Sequence, residues 1–188
     1  MPHPLESTLG ILHFFLAFAD FGNPGKANYF GLKPSRANFI QPNKKPLSSM
    51  SPTMVFQTSS NGSDDDLGDL RLVVGGSGGP KIITAVFQVI VNYLLLGKPL
   101  FESMAHPRVH NQLLYHGTAA TTVENSIVEP SGLNLQVSNR TKSALTKRGN
   151  RLIDIDYAGT VQAVAVDYET GKLEAVCDIR KGGSPVGY

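Results

Sequence analysis

Between Leu72 and Ala85 the chain changes character three times. Leu72-Val73-Val74 is a short apolar run with β-branched residues, the pattern of a buried strand. Gly75-Gly76-Ser77-Gly78-Gly79 follows, and Pro80 then opens an apolar segment that runs from Lys81 to Leu96. Proline suits the first turn of a helix, where its missing N–H has no intrahelical partner. A strand that feeds through a glycine passage into an apolar helix predicts a layered fold of mixed α and β. Glycine also lets a backbone approach a ligand closely. N–H groups at a helix start lie at the positive end of the helix dipole. Two readings fit: a tight strand-to-helix link, or a cradle for an anion or for the oxyanion of a transition state.

The helix from Lys81 to Leu96 is apolar on nearly every face, with Lys81, Gln88 and Asn92 as its strongly polar positions. Such a helix is expected inside a layered fold, and Gly97 ends it. Met54–Gln57 and Leu70–Val74 read as strands joined by a polar loop that carries Asp64, Asp65, Asp66 and Asp69. Val161–Val166 and Leu173–Cys177 read as a second hairpin. Thr121–Glu124 reads as a strand. Ser138–Arg148 reads as an amphipathic helix with Ser138 as N-cap, Ala144 and Leu145 inward and Gly149 after it. A shorter helix follows Pro99. His106 and His110 raise a metal pair, but Pro107 breaks the helix that would align them, and a structural role is expected. Arg108 is expected to hold a neighbouring loop or carboxylate. Phe21 to Pro46 reads as an irregular loop packed through its aromatics. The strands are expected to form one antiparallel sheet covered by helices.

The totals narrow the possibilities. A chain of 188 residues is one domain by default. A net charge of +2 with scattered basic residues carries no nucleic-acid footprint. One cysteine, Cys177, excludes an internal disulfide framework and reads as a strand residue. Thr8 to Ala19 is too short to span a bilayer. With no Lys or Arg before it, it is weak as a secretory signal and is expected to be a buried fragment.

Lys45-Pro46-Leu47-Ser48-Ser49-Met50-Ser51-Pro52-Thr53 sets two adjacent hydroxyls between prolines. Serine hydroxyls can donate to a carboxylate or satisfy their own turn. This stretch resembles the gamma-glutamyltransferases, or glutathione hydrolases. The resemblance continues in Phe30-Gly31-Leu32, in Ala37 to Pro42, and in Val73 to Ala85 with its glycines. It extends through Pro107-Arg108-Val109-His110-Asn111-Gln112, Asp178 to Gly183, and Gly187-Tyr188. It covers residues 20–188 as a single region, the C-terminal part of the family's small subunit. Residues 1–19 form an unmatched apolar leader.

The resemblance implies an α+β fold, a partial αββα N-terminal-nucleophile hydrolase with an antiparallel sheet covered by helices. It implies gamma-glutamyl transfer from glutathione and its conjugates to water or an amino acid, with no metal or organic cofactor. Ser48 and Ser49 would hold the alpha-carboxylate, Asp20 the alpha-amino group, and Gly78 and Gly79 the oxyanion. The family's nucleophilic threonine lies upstream in a segment with no counterpart here, so the chain looks truncated and inactive alone. A large subunit or a missing N-terminal region is the expected partner, beside glutathione or other gamma-glutamyl compounds. The family also implies an extracellular or cell-surface place, with membrane contact only through a missing segment. Leu16-Ala17-Phe18-Ala19 replaces polar residues of the family before Asp20, and Tyr115 stands where a proline is common. Two alternatives remain: a non-catalytic paralogue that binds a gamma-glutamyl ligand or a large-subunit-like partner, and an unrelated anion-binding domain.

Overall fold

A computed structural model describes residues 22–58, 67–129, 131–167 and 170–187. Asp20, the apolar leader and the acidic loop from Asp64 to Asp66 lie outside the described residues. Among the described residues, eight strands and three α-helices follow a short 3-10 turn over Arg36–Asn38. β1 (Thr53–Thr58) and β2 (Leu67–Ser77) lead into α1 (Lys81–Ile90), which continues as a π-helical turn over Val91–Leu95. Then come α2 (Leu100–Ala105), β3 (Val109–Tyr115), β4 (Thr118–Val128) and β5 (Leu133–Gln136). α3 (Asn139–Lys147), β6 (Leu152–Ile155), β7 (Thr160–Val166) and β8 (Leu173–Cys177) complete the order.

The strands divide into two sheets where one was expected. The first has the order β1-β2-β7-β8 and is antiparallel throughout. Both predicted hairpins belong to it. In the second, β4 pairs antiparallel with β3 and β5 and parallel with β6. The core lies between the first sheet and the helices. Leu72, Val74, Val161, Ala163 and Ala165 on the strands meet Ile82, Ala85, Val86 and Val89 of α1 and Leu100 and Met104 of α2. Strand periodicity places Leu72 and Val74 on one face of β2 and Val73 on the other.

That other face is open. Met54, Val73, Val164 and Ala175 are paired in register across all four strands, and all four are exposed or partly exposed. α1 is likewise not enclosed. Its inner face is buried, whereas Ile83 and Phe87 are 54% and 63% exposed. The apolar outer face that suggested an interior helix has no cover among the described residues.

Ser138 caps α3 as predicted, its hydroxyl accepting from the Thr141 N–H at 3.1 Å. Ala144 and Leu145 are half-buried, and so is Cys177 on β8. Among the described residues no helix is long and apolar enough to cross a membrane.

Candidate functional site

β2 carries the glycine passage further than a loop would. Gly75, Gly76 and Ser77 are strand residues paired with Gln162, Val161 and Thr160 of β7. The turn is therefore only Gly78-Gly79, at φ +132° and +61°. Positive φ is open to glycine and strained for most other residues. Space is closed as well. A Cβ on Gly78 would lie 2.8 Å from the Gly159 Cα, and one on Gly79 would lie 2.2 Å from the Phe30 ring. Among the described residues the Gly78 and Gly79 N–H groups have no hydrogen-bond acceptor, while the Gly79 carbonyl accepts from Ile82 at 3.1 Å. Two backbone donors thus stand without an acceptor among the described residues, just before α1.

Phe30, which presses on this turn, is held from three directions. The Asn28 side chain accepts from the Phe30 and Leu32 N–H groups at 3.0 and 2.9 Å. Gln112 Nε2 donates to the Phe30 carbonyl at 2.7 Å. Gly31 sits so close to His116 that a Cβ would lie 2.4 Å from its backbone nitrogen. The Asx turn at Asn28 was a readable local signal; its tertiary target was not.

The two serines differ. Ser48 Oγ accepts from the Met50 N–H at 3.1 Å, which leaves its own proton free to donate. Among the described residues the Ser49 hydroxyl has no hydrogen bond; its carbonyl accepts from Ser51 at 3.1 Å. Thr53 pairs with Val74 in the antiparallel register. The residues before Thr53 therefore run toward the end of β2 that carries Gly78 and Gly79. The Ser48-Ser49 segment thus enters β1 at the end of the sheet where β2 runs out into the glycine turn. Among the described residues no group of His, Cys, Asp or Glu is arranged to hold a metal.

The Pro107 to Gln112 motif supports this end of the sheet from below. Arg108, His110 and Gln112 alternate along β3 and its lead-in, so they project to one face. Arg108 donates to the Gly159 carbonyl at 2.7 Å, behind Gly78. His110 Nδ1 lies 2.8 Å from the Thr84 hydroxyl in α1, and its Nε2 lies 3.0 Å from Gln112 Oε1. The expected structural role of His110 is thus met by named partners. His106 is exposed and bonds locally to the Pro107 carbonyl.

Burial pushes the His110 imidazole below its ordinary value, and the Lys81 charge adds to this against the Gln112 hydrogen bond. A neutral ring fits, with Nε2–H donating to Gln112 and Nδ1 facing the Thr84 hydroxyl, whose one proton is shared between this nitrogen and the Lys81 carbonyl 3.2 Å away. The unfolded chain then binds this proton more readily than the native one. Stability from His110 is complete above the unfolded value of about 6.5 and declines as pH falls from there through the lower folded value. A melting-temperature series from pH 8 to 5 is expected to show this decline, and His110→Gln to flatten that part of it. An unchanged profile in the variant would remove His110 as its source.

Arg108 is 2% exposed and belongs to a buried network of two arginines and two carboxylates. Its Nη2 donates to Asp178 at 2.8 Å and to the Met104 carbonyl at 2.9 Å. Arg180 is bound by Glu124 at 2.6 Å on two nitrogens and by Asp178 at 3.0 Å. Glu124 also accepts from the Arg108 backbone N–H at 3.0 Å, and Asp178 from the Val161 N–H at 2.8 Å. Burial lowers the Arg108 pKa, helped by the Arg180 charge and opposed by Asp178 and Glu124. For Arg180, burial is outweighed by Glu124 and Asp178, which hold its value above that of a free arginine. The network ties β4, the end of α2, the entry to β7 and the C-terminal segment into one block.

The antiparallel sheet covered by helices, beside a second sheet, makes this an α+β protein. Comparison with known proteins gives the family. The model of the gamma-glutamyltranspeptidase family matches residues 10–188. The glutathione hydrolase proenzyme of Pseudomonas aeruginosa is 35% identical over 161 residues, 85% of this chain and 25% of that protein. Glutathione hydrolase 2 of Arabidopsis thaliana is 34% identical over 161 residues, 82% of this chain and 25% of that protein. The gamma-glutamyltranspeptidase of Pseudomonas nitroreducens, solved in complex with L-DON, superimposes with a TM-score of 0.69 at 32% identity. That alignment covers 92% of this chain and 79% of the solved one. The chain belongs to the gamma-glutamyltranspeptidase family. It spans about a quarter of the length of the curated relatives named here.

Proposed function

We propose that this chain supplies the gamma-glutamyl-binding and oxyanion-stabilising part of a gamma-glutamyl acyltransferase and glutathione hydrolase. Ser48 and Ser49 donate to the alpha-carboxylate of the gamma-glutamyl group, and Asp20 holds its alpha-amino group. A threonine carried outside this sequence attacks the gamma-glutamyl carbonyl. The carbonyl oxygen takes the negative charge and accepts hydrogen bonds from the Gly78 and Gly79 N–H groups. Collapse breaks the amide C–N bond, the amine leaves with the proton that the threonine hydroxyl gave up, and a glutamyl ester is left on the threonine. Water or an acceptor amine then releases the glutamyl group and restores the hydroxyl. The reading is carried by one observation: the Ser48-Ser49 segment enters β1 at the end of the sheet where β2 runs out into the Gly78-Gly79 turn, in a chain of this family.

The open face of the first sheet and the outer face of α1 are the surfaces offered to the large-subunit-like partner. The extracellular or cell-surface setting of the reading follows the family. Release of a chromogenic amine from a gamma-glutamyl anilide tests the reading. The purified chain is expected to show no turnover, because binding and polarising groups alone give little catalysis. Joined to the threonine-bearing polypeptide, it is expected to turn over. Ser49→Ala should then reduce kcat/KM roughly 10- to 100-fold, the worth of one hydrogen bond to a charged group. Turnover by the chain alone that Ser49→Ala abolishes would overturn the division of labour, and an inactive assembly would overturn the activity.

A further inference from the structure

We propose that Thr160 and Tyr157 are positioning residues that set the direction of the Gly78-Gly79 turn, an inference that rests on reading this turn as the oxyanion donor. The turn has no side chains of its own, and both its residues occupy conformations only glycine adopts freely. Nothing intrinsic to it fixes where its N–H groups point, so its neighbours must.

One neighbour, Phe30, closes the turn from the Gly79 side. The other is the segment from Tyr157 to Thr160. Thr160 opens β7 and pairs with Ser77, the last residue of β2. Its hydroxyl lies 2.8 Å from Ser77 Oγ and 3.0 Å from the Tyr157 hydroxyl. Three hydroxyls form a chain that ends one residue before Gly78. Thr160 is 2% exposed, so its partners in this chain are not readily replaced by water. Gly159, at φ +84°, brings its own Cα to within 2.8 Å of where a Cβ on Gly78 would stand, and the Tyr157 hydroxyl is 3.5 Å from that same point.

This brace is itself anchored twice. Lys81, 6% exposed at the start of α1, donates to the Tyr157 carbonyl at 2.6 Å. Its ammonium stands 5.5 Å from the centre of the Tyr157 ring. Arg108 holds the Gly159 carbonyl at 2.7 Å. The turn is thus gripped between two braces, Phe30 on one side and the 157–160 segment on the other. The hydroxyl chain sets the height of β2 against β7 where β2 ends. Hydrogen-bond strength falls steeply with angle, so a turn that tilts keeps its donors but misaims them. Loss of the brace therefore lowers kcat and leaves KM, which the serines govern, in place.

Backbone amide order parameters at Gly78 and Gly79, measured by NMR on the full chain, test the proposal. Thr160→Val keeps the shape and removes the hydroxyl; Thr160→Ser keeps the hydroxyl. In the native protein and in Thr160→Ser the two amides are expected near the rigid value of about 0.85, and in Thr160→Val below about 0.6. Amides of α1 and β1 should not change. In the active assembly Thr160→Val should lower kcat about tenfold with KM within about twofold, the pattern of a weakened transition-state contact. Unchanged order parameters at Gly78 and Gly79, or a loss spread evenly over the sheet, would overturn the proposal. If Thr160→Val does not fold, Tyr157→Phe at a position 37% exposed gives the same decision by the same measurement. Failure of the native assembly to turn over strikes the catalytic reading alone, because the order parameters decide the bracing without it.

Discussion

Asp178→Ala is expected to lower the free energy of unfolding by about 3–5 kcal/mol, the cost of removing one partner from a buried ion pair. Asp178 accepts from Arg108 Nη2, from the Val161 N–H, and from the Arg180 backbone N–H and Nη1. Its side chain has no exposure. Alanine leaves four donors without this acceptor and two guanidinium groups facing each other with only Glu124 between them in charge. Among the described residues Arg108 Nε already has no hydrogen-bond partner. The comparison is Asp154→Ala. Asp154 pairs with Lys142 at 2.9 Å but is 56% exposed, and an exposed pair contributes about 0–1 kcal/mol. Urea unfolding followed by circular dichroism separates the two. Equal losses would show that the Arg108–Asp178 network does not hold the fold. Function is expected to suffer with stability here, since Arg108 also holds the Gly159 carbonyl behind the turn.

The second large effect is local. Gly79→Ala places a Cβ within 2.2–2.9 Å of three atoms of the Phe30 ring, at φ +61°. The left-handed conformation costs an L-residue roughly 1–2 kcal/mol, and forcing in the methyl about 1–3 kcal/mol more. Either the ring leaves, although Asn28 and Gln112 fix its backbone, or the turn rotates. Both disturb the two N–H donors. Gamma-glutamyl turnover in the active assembly is expected to fall by about 10²–10³, the range seen when one oxyanion donor is lost. Gly75→Ala is the control. Gly75 lies in β2, outside the positive-φ glycines, and a Cβ there meets nothing within 4 Å. It is expected to change stability by no more than about 0.5 kcal/mol and to leave turnover intact. Similar losses from both variants would detach the activity from the geometry of the turn.

Much of this fold is legible in short windows of sequence. The β1–β2 and β7–β8 hairpins, the strand-to-helix passage and the Ser138 cap each rest on interactions between near neighbours. The missed strands have physical reasons. β5 and β6 are four residues each, too short for a period to emerge. In β3 the alternation is broken where the pairing with β4 shifts between Asn111 and Leu114, and Leu113 takes φ +69°. The outer face of α1 misled for a different cause: Ile83 and Phe87 are apolar, but nothing among the described residues covers them.

The glycine passage shows where local information ends. By itself, the sequence determined that a strand gives way to a helix across residues 75–80; the structure carried the strand on to Ser77 and left Gly78-Gly79 as the turn. Residue pattern alone also placed two serine hydroxyls just before β1. Only the tertiary structure decided the register, Thr53 opposite Val74, with which the segment after Ser49 meets the end of β2. It alone brought Phe30 and the Tyr157–Thr160 segment against the turn, and drew Arg108, Glu124, Asp178 and Arg180 into one buried network. Those contacts join residues dozens of positions apart, and no periodicity or propensity records them. They exist because burying the apolar face of the first sheet under α1 and α2 brings these segments together, and there each buried charge and donor must find a partner.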